Sequence, residues 1–477
     1  MTPIRLLAAT ILLGGTFAAG LLAARTPPAD DLAKGVWAVL DAVEKNHLEP
    51  PPRADTITAG LRGMLKAAGA PAPTDLAERA AAVTSEEQLR TLFRDVWPAD
   101  GGEKKLSADK LAAFLFESLL TSIPGKPEIQ PEKSVKVMEQ INNNRYVGIG
   151  ITVTTDEAER RPRIMPLRRG PAHAGGVKAS DIVLELDGQD TLGVPLDKFI
   201  EWARGAEGSN MTIVVKQPGE GEPRTLKLTR GVVPFDSVFG YVRNGEDWDY
   251  RVDPDAGIGY LWLKSISVST LHELRQAERR LRADGVKAMV IDMRFSAGSG
   301  MLSHAALVAD GLLDGGLMWT VRGRGDARTE YRADRDCLFR GMPLAVLAYG
   351  SEDNAHGAVL AALQDNRRAK LIGYPAGGDG SVRQLVALPD GMGSITVLSG
   401  RLERADKSRG WRWPVWPDYE VEMTEDQKHA VHAWMTAKEK PDPPTGAIGK
   451  PPEDPQLDRA LELLREELKA APASGIK

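Results

Sequence analysis

Two short and nearly uninterrupted apolar runs, Ala288–Met293 and Leu344–Tyr349, constrain the fold of this 477-residue chain more than any other feature. A strand that is buried on both faces shows such a run, because neither face needs polar side chains. A helical pattern precedes the first run at 271–284, and another follows the second run at 355–364. This alternation predicts a mixed sheet with helices on its faces.

Two other patterns occupy the earlier part of the chain. From 31 to 144, apolar residues recur at spacings of three and four, which predicts an all-helical region. Ser85 and the two glutamates after it have the composition of a helix start. From 145 to 232, short alternating runs between glycine and proline turns predict a β-rich module, with Gly148–Val153 and Ile182–Leu186 among its strands.

The amino terminus predicts export. Leu6–Ala24 contains no charged residue and lies between Arg5 and Arg25, which is the pattern of a secretory signal or, if uncleaved, of a membrane tether. Both interpretations put the rest of the chain in the periplasm or on the extracytoplasmic face of the inner membrane. Cys337 is the single cysteine, so no internal disulfide can form. A net charge of −5 argues against a nucleic-acid partner.

A set of short motifs between Pro171 and Gly188 resembles the PDZ domain. Pro-Ala, Ala-Gly and an apolar strand closed by Asp-Gly follow one another, and Ser180 stands where the family usually has glycine. The resemblance implies that an extended peptide adds to a sheet edge while backbone N–H groups of an upstream loop receive its carboxylate. The expected partners are protein C-termini or unfolded polypeptides. The predicted peptide-binding residues are Gly148, Ile149, Gly150 and Ile151.

The segments Ile291–Gly300, Val346–Gly357 and Gly377–Val382 follow this module in order. Together they resemble the carboxyl-terminal processing (tail-specific) serine peptidases, and the resemblance extends over 37–468. It implies a ClpP/crotonase-like α/β domain that uses a Ser–Lys dyad and no cofactor. In such a dyad a deprotonated lysine takes the serine proton, and backbone amides stabilise the oxyanion.

The dyad positions themselves are substituted. Residue-by-residue comparison with the family motifs puts Asn354 at the nucleophile and Asp379 at the base, and their separation (379 − 354 = 25) fits the family spacing. Arg383 takes the place of the glutamine that orients the base. Gly298 retains the first glycine of the oxyanion turn, whereas Ser299 replaces the second.

These substitutions predict a pseudoprotease, because an amide side chain is no nucleophile for acyl transfer and a carboxylate does not replace lysine. The alternative is an active serine-type endopeptidase with a relocated set of Ser351, His356 and Asp379. No metal site is predicted, since no ligand-spacing motif is present. His304 is predicted to lie on a helix surface. A structural loop is predicted around Trp411, Trp413 and Trp416, and recognition of a peptide or glycan surface is the alternative.

The patterns together predict a multi-domain α+β fold, as expected for a chain too long for one core. In this family the helical N-terminal region and the C-terminal helix can serve as dimer elements, so a homodimer or a complex with an active relative is compatible with the resemblance. The predicted domains are a signal or anchor at 1–30, a helical region at 31–144, a PDZ-like domain at 145–232, a protease-like α/β domain at 233–425, and a Pro-rich linker with a C-terminal helix at 426–477.

Overall fold

The structure, a computed structural model, describes residues 28–98, 101–142, 146–167, 170–219, 222–233, 236–244, 247–296, 301–334, 336–351, 353–409, 413–439 and 451–470. The apolar run at 6–24 and the second glycine position, Ser299, lie outside these residues. Among the helices that are described, none is both long and apolar enough to cross a membrane.

Thirteen helices are described. Two short 3-10 turns, Arg324–Asp326 and Lys407–Arg409, accompany them. The helices are α1 (Pro28–Asn46), α2 (Arg53–Ala68), α3 (Leu76–Ala81), α4 (Glu86–Val96), α5 (Ala108–Ser122), α6 (Glu132–Asn142), α7 (Pro171–Ala174), α8 (Leu196–Ala203), α9 (Thr270–Ala283), α10 (Leu302–Leu312), α11 (Asn354–Asp365), α12 (Glu425–Glu439) and α13 (Pro455–Ala470).

The strands of the described residues form five sheets. They are β1 (Glu128–Gln130), β2 (Tyr146–Gly148), β3 (Ile151–Asp156), β4 (Arg161–Pro166), β5 (Asp181–Leu186), β6 (Gln189–Asp190), β7 (Asn210–Lys216), β8 (Arg224–Thr229), β9 (Gly231–Val233), β10 (Val238–Phe239), β11 (Val242–Asn244), β12 (Asp247–Asp249), β13 (Arg251–Asp253), β14 (Ile258–Leu263), β15 (Ala288–Asp292), β16 (Gly316–Gly323), β17 (Arg328–Ala333), β18 (Leu344–Ala348), β19 (Lys370–Gly373), β20 (Ser381–Ala387), β21 (Ser394–Arg404) and β22 (Tyr419–Glu420).

The chain divides into two compact units that are not single stretches of sequence. The first comprises Met1–Val137, Thr320–Glu330 and Gly380–Glu403. Its core is made by the apolar faces of α1 to α5 together with Ile395 and Val397 of β21. Side chains cap two of these helices, since Ser85 Oγ accepts from the backbone N–H of Gln88 at the start of α4 and Ser107 does the same for α5. These caps satisfy N–H groups that have no partner inside the helix.

The second unit comprises Met138–Trp319, Tyr331–Asp379 and Arg404–Lys477. Its main sheet has seven strands in the order β10-β14-β15-β18-β19-β22, with β13 also paired to β14. Strands β14, β15, β18, β19 and β22 are parallel to one another, whereas β10 and β13 pair antiparallel with β14. One face, including Tyr260, Val290 and Leu347, packs against α12 and α13. The other face is covered too, because the intervening Ile291 and Val346 are fully buried.

The second unit also contains a six-stranded sheet in the order β3-β4-β5-β7-β8, with β6 paired to β5. Its core includes Phe199 of α8. The sequence predicts one strand over Gly148–Val153, and this is wrong. The strand is interrupted at Gly150, whose φ of 71° is incompatible with a β ladder. β2 therefore pairs with β9, whereas β3 pairs with β4.

Candidate functional site

The candidate site is built at the start of α11, after the carboxyl end of strand β18. Asp353 is the N-cap of this helix, and its Oδ1 accepts a hydrogen bond of 2.7 Å from the backbone N–H of Ala355. Most of α11 is buried, so its first turn has a fixed position at this edge of the sheet. In α/β sheets, ligand and catalytic sites commonly lie at the carboxyl ends of the strands.

Asn354 is the first residue of α11 and occupies the predicted nucleophile position. Its Nδ2 donates a hydrogen bond to Oδ1 of Asp379, the predicted base position, at 3.3 Å. A nucleophile and the base that activates it need this kind of proximity. The two side chains that the motifs single out, 25 residues apart in sequence (379 − 354), therefore meet in space.

Glycines in the segment before Asp379 make this contact possible. Gly377 and Gly378 have φ values of 103° and 63°, and both backbone N–H groups donate to the carbonyl of Ser351, at 2.6 and 3.2 Å. A Cβ added to Gly357 of α11 would lie 2.3 Å from the carbonyl oxygen of Gly377. The helix and the 376–380 segment thus approach to a distance that only glycine permits.

His356 lies on the same turn of α11, with a side chain that is 1% exposed. Its Nδ1 is 3.1 Å from Oδ2 of Asp353, so Nδ1 carries the proton and donates it. Its Nε2 is buried and has no hydrogen-bond partner within the described part of the chain. Ser351 Oγ accepts from the backbone N–H of Asp353 at 3.2 Å.

These contacts do not assemble the relocated set of Ser351, His356 and Asp379. The carboxylate that contacts His356 is Asp353, which lies three residues earlier on the same helical turn. Asp379 contacts Asn354 instead. The sequence singles out Asp353 as a possible neighbour of Ser351, His356 and Asp379, but it does not assign the residue its role as the N-cap of α11, although an aspartate directly before a predicted helix is an N-cap signal.

The strand that leads to the predicted oxyanion turn ends in a buried charge network. Arg294 is 1% exposed and donates to both carboxylate oxygens of Asp292 and of Asp454. Burial alone would lower the pKa of Arg294, but these two carboxylates outweigh it and raise the pKa well above its usual value. Tyr260 Oη also donates to Asp292, at 2.8 Å. Gly298 itself lies outside the described residues.

Four further predicted positions are Arg383 and the three tryptophans Trp411, Trp413 and Trp416. Arg383 is an exposed residue of β20, in the first unit. Trp416 is 50% exposed and Trp411 lies outside the described residues, while the ring of Trp413 is 2.8 Å from the position of a Cβ on Gly357. Within the residues that the structure covers, no group of three or more His, Cys, Asp or Glu is arranged to hold a metal ion.

The prediction that His304 lies on a helix surface is wrong. It is only 7% exposed, because it shares one face of α10 with Val308 and Leu312 at four-residue spacing. Burial lowers the pKa of this imidazole.

The predicted peptide-binding loop joins β2 to β3. Ile149 is buried in the core of its sheet, and its carbonyl accepts from Ala172 N at 2.7 Å. The carbonyl of Gly150 accepts from Leu167 N at 2.8 Å. Among the described residues, the N–H groups of Ile149 and Gly150 donate to no backbone carbonyl. Ser180, at the position usually held by glycine, has a φ of 69°, which explains that preference.

Comparison with known proteins gives a consistent result. Residues 257–421 match Peptidase family S41. A carboxy-terminal-processing protease of Bartonella bacilliformis is 26% identical over 75% of this chain and 84% of its own length. A carboxyl-terminal-processing protease of Picosynechococcus is 31% identical over 56% of this chain and 63% of its own length. The structure of a photosystem II D1 C-terminal processing protease is 22% identical, covering 83% of this chain and 94% of that chain, with a TM-score of 0.41.

Residues 257–421 of this chain therefore form a Peptidase family S41 domain, and the chain is similar to carboxyl-terminal-processing proteases over 56% to 75% of its length. The resemblance inferred from the sequence motifs is confirmed at this level.

Proposed function

We propose that this chain is an exported, peptide-binding homologue of the carboxyl-terminal-processing proteases whose cleavage centre is inactive. The observation that carries the proposal is the hydrogen bond between Asn354 and Asp379 at the position of the dyad. Residues at these positions in an active member would be a hydroxyl nucleophile and a basic amine.

The chemistry of the two side chains supports this conclusion. The lone pair of the Asn354 amide nitrogen is delocalised, so Nδ2 acts as a hydrogen-bond donor and not as a nucleophile. The carboxylate of Asp379 brings negative charge to a place where a tetrahedral oxyanion would form nearby, and like charges repel. In serine proteases, loss of the nucleophile or of the base lowers kcat by about 10⁶-fold.

The contact between Asp353 and the buried His356 does not restore a nucleophile. The hydroxyl of Ser351 accepts a hydrogen bond from the backbone N–H of Asp353 at the N-cap. The imidazole of His356 contacts the carboxylate of Asp353. An acyl-transfer triad needs the imidazole within hydrogen-bonding distance of the hydroxyl. The contacts therefore favour a structural role for this pair.

The peptide-binding half of the proposal is supported by the loop between β2 and β3. Its N–H groups at Ile149 and Gly150 make no hydrogen bond to the backbone in the described part of the chain. Consecutive N–H groups in such a turn form a concave site for an anion, here the carboxylate of a protein C-terminus or of an unfolded segment. Export is supported by the apolar run at Leu6–Ala24.

The first test measures cleavage of an unfolded protein and of peptides by the purified full chain, with products followed by mass spectrometry. We expect no time-dependent products from the natural chain, and the same result for the Ser351→Ala variant. The Asn354→Ser/Asp379→Lys double variant is expected to gain cleavage, whereas neither single change should. Cleavage by the natural chain that Ser351→Ala or His356→Ala removes would overturn the proposal in favour of the relocated active set.

The second test measures binding of one peptide with a free and with an amidated C-terminus. We expect the free carboxylate to bind at least tenfold more tightly. Gly150→Ala should abolish this difference, because the added Cβ would lie 3.1 Å from the backbone of Gly170 at a φ of 71°. Gly208→Ala is the matched control, since Gly208 also has a positive φ, of 78°, but open space around it. Equal binding of the two peptides would rule out carboxylate recognition.

A further inference from the structure

The second unit contains a cleft of ≈ 590 Å³ that is separate from the candidate site. Leu344 and Lys370, the first residues of β18 and β19, line it. Gln364, near the end of α11, lines it as well. Asn354 begins α11 and follows the carboxyl end of β18, so the cleft lies at the opposite edge of the same parallel sheet.

The lining of this cleft has more cations than carboxylates. Three of the cations have a carboxylate partner in the lining. Arg340 binds both oxygens of Asp314, at 3.0 and 2.8 Å. Lys370 Nζ is 3.2 Å from Glu467, and a nitrogen of Arg409 is 3.6 Å from Asp418. The charged lining residues are Arg340, Arg367, Arg368, Lys370 and Arg409, with Asp314, Asp418 and Glu467.

Arg368 is a fixed positive charge without a carboxylate partner among the described residues. It is half-buried, and its guanidinium donates to four backbone carbonyls, those of Leu312, Met342, Leu338 and Phe339. Carbonyl groups satisfy the donors but leave the unit charge in place. The hydrogen bonds also hold the guanidinium in one position, so its charge is organised before any ligand arrives.

Arg367 is the neighbouring exposed cation. Its φ of 54° is in the left-handed region, so the chain turns away from the helix axis just after the end of α11. No carboxylate contact is found for it in the described part of the chain, and its side chain lines the cleft. Arg367 and Arg368 thus contribute two positive charges that the other lining residues do not neutralise.

Stabilisation of a helix end does not account for both charges. The carboxyl end of a helix carries the equivalent of roughly half a negative charge, and one cation is sufficient to balance it. The cleft also has an acidic side, since Arg409 lies within 4 Å of Asp365 and Asp406 as well as Asp418. An anion would therefore bind near Arg367 and Arg368, the two lining cations for which no carboxylate partner is found among the described residues.

We propose that this cleft binds a small anion of the phosphate class, either inorganic phosphate or a phosphate monoester. Arginine suits such a ligand because its planar guanidinium can donate two parallel hydrogen bonds to phosphate oxygens. Arg367 is exposed and can make these contacts, while the half-buried Arg368 contributes a second positive charge to the lining. This inference does not depend on whether the dyad positions are active.

The test is calorimetric titration of the full chain with inorganic phosphate and with glycerol phosphate, at an ionic strength held constant with sodium chloride. We expect saturable binding of at least one of the two, and the comparison between them shows whether the free ion or the ester is preferred. Arg367→Gln should weaken this binding at least tenfold. Arg280→Gln, which removes an exposed arginine of α9 that lies outside the cleft and pairs with Asp247, should change it less than twofold.

The protein is expected to stay folded in both variants, because both arginines lie on the surface, and circular dichroism checks this. Two results would overturn the proposal. One is the absence of saturable heat for phosphate and for the ester. The other is binding that Arg367→Gln and Arg340→Gln leave unchanged while Arg280→Gln weakens it, because the anion would then bind elsewhere.

Discussion

Gly357 illustrates how a single residue without a side chain determines the candidate site. It lies on the first turn of α11, where the backbone of Gly377 approaches so closely that a Cβ would be 2.7 Å from its Cα. The ring of Trp413 closes the remaining space. The contact between Asn354 and Asp379 depends on this approach, because Asp379 follows Gly377 by two residues.

We predict that Gly357→Ala lowers the free energy of unfolding of the second unit by about 1 to 3 kcal/mol, since a methyl group has to push backbone atoms apart. Gly35→Ala is the matched control on another buried helical glycine. There the nearest atom, of Phe116, is 3.4 Å away, so the methyl group fits. Alanine should then stabilise α1 by up to about 1 kcal/mol through its helix propensity.

Urea unfolding followed by circular dichroism, with limited proteolysis to assign each transition to a unit, measures both changes. The two substitutions are expected to have opposite signs. If Gly357→Ala were neutral, the close approach between α11 and the 376–380 segment would not exist in solution.

At the level of the element, α11 is held at its first turn by one carboxylate with two tasks. Asp353 caps the helix through Ala355 N and also accepts from Nδ1 of His356. The cap satisfies an N–H group that the helix leaves unpaired. The contact with His356 satisfies a second donor that is buried, and an unsatisfied buried donor costs about 1 to 3 kcal/mol.

We predict that Asp353→Ala destabilises the protein by about 2 to 4 kcal/mol, the sum of a lost cap and a stranded imidazole N–H. Ser107→Ala removes only a cap, that of α5, and should cost about 1 kcal/mol. A double-mutant cycle of Asp353→Ala with His356→Ala should give a coupling free energy of about 1 to 2 kcal/mol in urea unfolding. Additive effects of the two changes would show that the pair contributes nothing beyond the cap.

At the level of the whole second unit, the network around Arg294 joins distant parts of the chain. Arg294 lies two residues after the end of β15, and Asp454 lies directly before α13, 160 residues later in the chain. Gln456 links the same arginine to the backbone of Val421. Helix α13 therefore covers the apolar face of the sheet, and Asp454, directly before this helix, helps to neutralise the buried Arg294.

We predict that Asp454→Ala lowers the free energy of unfolding of this unit by about 3 kcal/mol, because a buried ion pair loses one partner. Asp458→Asn is the control four residues away in α13. Burial and the nearby carboxylates of Asp454 and Glu453 raise the pKa of Asp458, so its charge is not stabilised there and removing it should cost under about 0.5 kcal/mol. The urea midpoint measures both, and a loss below about 1 kcal/mol for Asp454→Ala would mean that Asp292 alone satisfies Arg294.

The sequence by itself determined the features that depend on neighbouring residues. The apolar runs became β15 and β18 because a strand buried on both faces has no polar positions. Ser85 was predictable as a helix start because a cap acts within one turn. The motifs around Asn354 and Asp379 are contiguous segments, so the sequence could single out these two residues, and their assignment as the dyad positions stays a prediction.

Only the tertiary structure decided which distant segments meet. It pairs Glu128 with Thr396 across the first unit and places Asp454 against Arg294 in the second. It also buries His304, against the prediction, and it selects Asp353 rather than Asp379 as the carboxylate that contacts His356. The physical reason is range. Periodicity and capping act over a few residues, whereas these contacts depend on closing long loops and on the combined packing of a whole core.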